Sequence, residues 1–205
     1  MLKQLKQSIL TTLVITILTG LAYPLAMVGM SETLFPRQAH GSLIEKDGKV
    51  VGSELIGQAF TKPEYFHGRP SATTDTDPND STKQVPSPYN AANSNGSNAA
   101  PTAKSFTDDV QSRIDALKAE NPDARTPIPV DLVTTSASGL DPHISPAAAV
   151  YQAPRVAKAR NLSQGQVLHM IDEATEGRTL GFIGESRVNV LRLNLALDEA
   201  AKASN

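Results

Sequence analysis

Cysteine is absent from this chain of 205 residues. Its absence excludes disulfides, thiol nucleophiles and zinc–thiolate sites together. The folded part must therefore stand on its own apolar core, and the length allows one domain of ordinary size plus an anchor rather than two full domains. Charge is missing from a long stretch, since no Asp, Glu, Lys or Arg occurs from Gln7 to Ser31. A basic surface is missing too. The formal net charge is −2, and the residues beyond Lys3 and Lys6 are more acidic still, so the chain carries no electrostatic footprint for nucleic acid. Nor is there a P-loop (G-x-x-x-x-G-K-[ST]), an H-E-x-x-H pair or a G-x-S-x-G nucleophile elbow. The four histidines are scattered, and His40, His67 and His169 read as structural or solvated.

What is present begins with the uncharged stretch. From Ile9 to Met30 most residues are apolar, and about 22 helical residues rise roughly 33 Å, enough to cross a hydrocarbon core of about 30 Å. Threonines are tolerated there because their hydroxyls can bond backbone carbonyls, and Pro24 can sit where a neighbouring helix re-satisfies the freed group. The rival is a cleaved signal peptide with Lys3 and Lys6 as its basic end and Ile9 to Leu18 as its apolar core. The apolar run continues past that core, and no clear A-x-A site follows Leu18, so a retained anchor is expected. Residues 1–8 are then a cytoplasmic end, 9–30 a transmembrane helix and 31–205 an extracytoplasmic domain. The lysines favour that orientation, while Arg37, Lys46 and Lys49 beyond the span make the bias modest.

Within the domain, Ser42–Glu45 and Lys49–Ile56 read as strands joined at Asp47-Gly48, a two-residue hairpin turn. Pro70 to Lys104 reads as a long irregular polar segment, either meeting a partner or mobile in solvent. Ser105–Asn121 is an amphipathic helix with Val110, Ile114 and Leu117 on one face and Pro122 beyond its end. Ile128–Thr135 reads as a strand rich in β-branched residues. Ser145-Pro146 starts a helix that Pro154 is expected to break. Ser163 opens another, with Gln166 as capping-box partner and Gly177 as its stop. Val188–Leu197 alternates with a period of two and reads as the clearest strand, before a short polar terminal helix. The fold class expected is α/β (α+β): a single soluble domain of mixed short strands and helices, tethered by one N-terminal transmembrane helix.

Three local patterns imitate sites. Asp75, Asp77 and Asn79 resemble the start of a calcium loop, but Asp80 stands where glycine is needed and Pro86 where the bidentate glutamate belongs. No metal site is expected. Asp141 and His143 could form an acid–base pair, which makes a membrane-tethered extracytoplasmic hydrolase the alternative reading. Turn chemistry at Gly139 and Asp141-Pro142 explains them more economically, and a third metal ligand is lacking. Leu162-Ser-Gln-Gly-Gln166 is similar to the LSGGQ signature of ABC ATPases, so Ser163, Gln164, Gly165 and Gln166 are candidate nucleotide contacts at a helix N-terminus. A plain capping box accounts for Ser163 and Gln166 as well.

Several longer stretches resemble one family. They are Phe35-Pro-Arg-Gln-Ala-His-Gly-Ser-Leu-Ile44, Gly57-Gln-Ala-Phe-Thr-Lys-Pro-Glu-Tyr-Phe-His-Gly-Arg-Pro-Ser-Ala72, Val133-Thr-Thr-Ser-Ala-Ser-Gly-Leu-Asp-Pro-His-Ile-Ser-Pro146, Tyr151-Gln-Ala-Pro-Arg-Val-Ala-Lys-Ala-Arg160 and Val188-Asn-Val-Leu-Arg-Leu-Asn-Leu-Ala-Leu197. Together they resemble the KdpC family, with His40 where that family usually has Asn and Ser186 where it often has Pro. The resemblance implies a single-pass, non-catalytic subunit of a bacterial inner-membrane complex that couples ATP hydrolysis to potassium uptake. Its implied partners are a P-type ATPase subunit, a channel-like potassium-translocating subunit and a very small membrane peptide. No D-K-T-G phosphorylation motif occurs here, in keeping with chemistry in another chain. The resemblance also implies a catalytic chaperone that raises the ATPase subunit's affinity for ATP, with ATP reached through the complex. A domain outside the membrane could do so only indirectly. Gln38, Arg69, Ser138, Asp141, His143 and Asn189 lie in the matching stretches and are the candidates for structural or partner contacts.

Overall fold

The computed structural model describes residues 1–203 as two compact units, one ending at Val51 and one beginning at Gly52. The first is dominated by α1, a helix over Leu2–Leu34 with none of its most apolar window buried within the chain. Leu10, Leu13, Val14, Leu18, Leu21 and Leu25 are all exposed. Apolar residues on every side, uncovered by protein, fit a single membrane pass. The helix widens to π geometry over Leu18–Ala22, just ahead of Pro24. A wide turn relieves the clash between a proline ring and the carbonyl four residues back. The Thr19 hydroxyl donates to the Ile15 carbonyl at 2.8 Å, as expected of a threonine in an apolar span. A short α2 (Pro36–Ala39) follows. Then β1 (Leu43–Lys46) and β2 (Lys49–Ser53) form a hairpin. Its turn has Asp47 at φ 53° and Gly48 at φ 73°, as a type I′ turn requires.

The second unit holds the core. Its central helix is α4 (Pro146–Arg160), capped by the Ser145 side chain accepting from the Ala148 N–H. Ala148, Ala149, Ala153 and Ala157 let neighbouring elements approach closely, and Tyr151 and Val156 complete the buried face. Val167 and Ile171 of α5 (Gln164–Glu173), Leu193 and Leu197 of α6 (Val190–Ala203), Phe66, Leu132 and Ile144 pack with them. The proline break expected in α4 does not occur. Pro154 lies inside one continuous helix, next to the exposed Val150 whose carbonyl it leaves without a helical donor. Residues on both sides of it are buried, and that burial outweighs a proline penalty of about 3 kcal/mol.

Three further expectations fail for identifiable reasons. The segment 128–135 is a 3-10 turn at Val130–Leu132 rather than a strand, since Pro127 and Pro129 lack ladder donors and the turn bonds Leu132, Val133 and Thr134 internally. The stretch 188–197 is a strand only as part of β7 (Arg187–Asn189), and α6 takes over from Val190. Within α6 the buried residues of this stretch are Val190, Leu191, Leu193, Asn194 and Leu197, while Arg192 is exposed and Leu195 and Ala196 are only partly buried, a helical spacing that the alternating leucines concealed. The polar segment 70–104 is not irregular throughout. It contains the antiparallel pair β3 (Thr74–Asp77) and β4 (Asp80–Pro86). Asp77 and Asp80 there accept backbone N–H groups two residues on, so the apparent calcium loop is a hairpin turn.

The hairpin's flank is tied down by polar bonds. Thr73, almost fully buried, donates to the Ser87 carbonyl at 2.6 Å. Asn90 and Asn93 both donate to the Thr74 carbonyl at 2.9 Å. The amphipathic helix α3 (Lys104–Glu120) leans Leu117 on the core. Finally β5 (His143–Ile144), β7 and β6 (Thr175–Glu176) form a small antiparallel sheet in the order β5-β7-β6. Helix α5 ends at Glu173, ahead of the Gly177 stop, because Thr175–Glu176 joins this sheet.

Candidate functional site

The sheet fixes one end of a polar centre. Register pairs His143 with Asn189 and Ile144 with Val188. Asp141 turns the chain into β5 by accepting the His143 N–H at 3.0 Å, and the Pro142 carbonyl accepts the Val190 N–H at 3.0 Å. Arg69 reaches the same carboxylate at 3.2 Å and the Thr135 carbonyl at 3.2 Å. Its Nε is buried and has no hydrogen-bond partner among the described residues. The His143 Nδ1 lies 3.5 Å from Asp141. These groups line an open pocket of about 590 Å3 together with Asp131, Ser145 and Arg187.

The electrostatics favour the ionised form of Asp141. Burial pushes its carboxyl up, but hydrogen bonds from His143 and the Arg69 guanidinium prevail and hold it below the usual carboxylate range. Among the described residues no hydrogen bond joins a hydroxyl to His143. The nearby Ser145 hydroxyl donates to Asp131 at 3.1 Å and accepts the Ala148 N–H at 3.1 Å. Behind the cluster stands Tyr89, at φ 61°, its hydroxyl donating to the Arg69 carbonyl at 2.7 Å. Burial, and then the Asp141 charge, push its pKa up to about 12. The Tyr89 ring lies where a Cβ on Gly57 would stand and its hydroxyl where one on Gly68 would, so both positions need glycine for its close approach.

The other candidates separate. Asn189 caps α6, accepting the Arg192 N–H at 3.1 Å while donating to the Glu54 carbonyl at 2.9 Å. Ser138 shapes the turn before Asp141, its hydroxyl accepting the Leu140 N–H at 3.1 Å. Gln38 belongs to α2 in the first unit, where its carbonyl accepts the Gly41 N–H. Ser163 and Gln166 form a complete capping box on α5, with Ser163 accepting the Gln166 N–H at 3.2 Å and Gln166 accepting the Ser163 N–H at 2.9 Å. The Ser163 and Gln166 side chains are thereby committed to the helix end. Ser163→Ala is expected to lower stability by about 1 kcal/mol and to leave nucleotide binding unchanged. Thermal unfolding and nucleotide titration of the same preparation check this, and weakened ATP binding without loss of stability would contradict it.

Sequence reasoning missed the most heavily bonded feature, the run Lys62–His67, which no regular element includes. Side chains bond every carbonyl along it. His67 bonds the Lys62 oxygen at 3.0 Å, Arg155 bonds Pro63 at 2.6 Å and Tyr65 at 2.9 Å, and Arg160 bonds Glu64 at 2.6 Å. The amide of Asn194 spans both polar groups of Phe66, at 2.9 and 3.0 Å. That of Gln152 spans both of His67, at 2.8 and 3.1 Å. Burial, then the Arg155 charge, lowers the His67 pKa against the opposing pull of the Lys62 carbonyl and Glu120. Gln152 and Arg155 stand one turn apart among the alanines of α4, and that spacing of polar groups on a buried face was the available signal.

Comparison with known proteins gives one consistent answer. The family model described as "K+-transporting ATPase, c chain" matches residues 5–199. A "Potassium-transporting ATPase KdpC subunit" from Bradyrhizobium diazoefficiens is 62% identical over 98% of this chain and 99% of the relative. Proteins of the same description from Rhodopseudomonas palustris (strain BisB18) and Methylobacterium nodulans are 60% and 59% identical, again over 98% of this chain. On a match that runs almost end to end, the chain belongs to the KdpC family.

Proposed function

We propose that this chain is a non-catalytic accessory subunit of an ATP-driven, high-affinity potassium uptake complex, which it assembles and stabilises from the membrane. The observation that carries this reading is α1, apolar on every side and covered by nothing in its own chain. Such a helix needs lipid or partner helices around it, and one helix by itself encloses no ion path. The relatives' description as subunits of a potassium-transporting ATPase supplies the assembly. The partners are the P-type ATPase subunit that carries the phosphorylation chemistry, a channel-like potassium-translocating subunit and a small membrane peptide. Residues 1–8 lie in the cytoplasm, 9–30 cross the bacterial inner membrane and 31–205 fold outside it. An effect on ATP affinity then acts as a coupling free energy carried through the membrane helices rather than by direct contact.

Deleting the chain from cells is expected to abolish growth at micromolar potassium, and restoring the full chain should recover it. Unchanged growth after deletion overturns the proposal. Protease accessibility of residues 70–104 in right-side-out and inverted vesicles tests the orientation, and cleavage only in inverted vesicles would place the domain inside.

A further inference from the structure

Between β6 and β7 the chain forms a finger whose tip carries three exposed apolar residues close together in sequence. Leu180 is 78% exposed, Phe182 72% and Ile183 51%. The finger is nonetheless ordered by its own backbone. Thr179 and Ile183 exchange two N–H···O bonds of 2.9 Å, and the Gly181 N–H donates to the Arg178 carbonyl at 3.0 Å. Leu180 sits at φ 55°, a left-handed conformation that is cheap for glycine and strained for a branched, bulky side chain. A turn that only had to reverse direction would be better served by glycine there, as at Gly181 (φ 81°) and Gly184 (φ 79°). The leucine side chain is the part that earns an explanation.

What surrounds the tip narrows the occupant. Arg178 pairs with Glu185 at 2.6 Å, and Arg187 pairs with Glu176 at 2.9 Å. Charges at the finger's base are thus balanced, leaving no positive excess to hold an anionic bilayer. Glu185, Ser186 and Arg187, directly after the finger, line the pocket that Arg69 and His143 also line, and exposed Val130 stands on the same rim. An apolar knob thereby adjoins a polar socket. Lipid accepts an apolar knob but offers no side chain for the polar socket beside it, whereas a protein surface offers a cleft for the first and side chains for the second. We propose that the finger Thr179–Ile183 docks into an apolar cleft on another protein subunit of the potassium pump, with Leu180 and Phe182 as anchors inside a ring of ion pairs. This rests on the accessory-subunit reading above.

Leu180→Gly is the sharpest test, because it removes an anchor while relieving the backbone. The expected result is an unfolding temperature equal to or above that of the parent chain, with recovery of the pump's other subunits by affinity purification in detergent reduced at least tenfold in the Leu180→Gly, Phe182→Ser double variant. Replacing Phe182 with the photo-reactive p-benzoylphenylalanine in the intact complex is expected to give an adduct with another pump subunit. Adducts only with lipid or with a second copy of this chain, or no adduct, overturn the proposal, as does full recovery of partners by the double variant. The two readings fail separately: if deletion abolishes uptake but the finger variants assemble normally, only the docking inference falls. If deletion leaves uptake intact, the accessory-subunit reading falls and the docking inference with it.

Discussion

Arg155→Met is expected to lower the unfolding free energy of the domain by about 3 kcal/mol, a large share of the 5–15 kcal/mol typical of a domain. Arg155 is 9% exposed and donates to four acceptors: the carbonyls of Pro63 and Tyr65, the Asn121 side chain at 3.0 Å and Gln152 at 2.7 Å. Methionine matches its length and apolar stem but returns none of these donors, and each acceptor left short in the interior costs about 1 kcal/mol. The loss should be cooperative. Gln152 orients Arg155 while holding both polar groups of His67, so Gln152→Ala and Arg155→Met together should cost less than their sum. Lys158→Met, on the exposed side of the same helix with only a 3.4 Å pair to Asp123, is the control and should shift stability by less than about 0.5 kcal/mol. Urea unfolding of the purified chain in detergent measures all four. An unchanged midpoint for Arg155→Met would show that the Lys62–His67 run is held by something else.

That run also explains how far the sequence could be read. Elements that announce themselves locally were legible: the uncharged span of α1, the Asp47-Gly48 hairpin, the Ser145-Pro146 helix start and the Ser163–Gln166 capping box. Elements decided by distant partners were not. The alternating leucines of 191–197 read as a strand, yet Asn194 between them is 1% exposed and bonds the backbone of Phe66, 128 positions away. Pro154 suggested a break because local sterics forbid little else, and burial of the flanking residues overrode it. In the polar centre, Arg69, Asp141 and His143 were named from the sequence and do converge. Their mutual saturation was not foreseeable, since it depends on a pairing between residues 72 apart. Polar residues that serve a backbone rather than a substrate look the same in sequence as those that do chemistry.

The Arg69–Asp141 pair offers a way to tell those two roles apart. Asp141→Ala alone is expected to cost about 2–3 kcal/mol, because it leaves a part-buried guanidinium whose Nε already lacks a partner holding only the Thr135 carbonyl. It also removes the bond that turns the chain into β5. Adding Arg69→Met removes the stranded charge, so the double variant should be no less stable than the single and should show a coupling of about 1–2 kcal/mol. If the pair is a structural brace, potassium uptake should follow stability, falling in Asp141→Ala and recovering in part in the double variant. If Asp141 and His143 perform hydrolysis, uptake or any other activity cannot recover once the carboxylate is gone. His143→Ala supplies the second arm. Its ring makes only the 3.5 Å contact to Asp141, so a brace loses less than about 1 kcal/mol and uptake stays near that of the parent. A folded, fully assembled His143→Ala complex that transports nothing would reverse the assignment and make the pocket a site of chemistry.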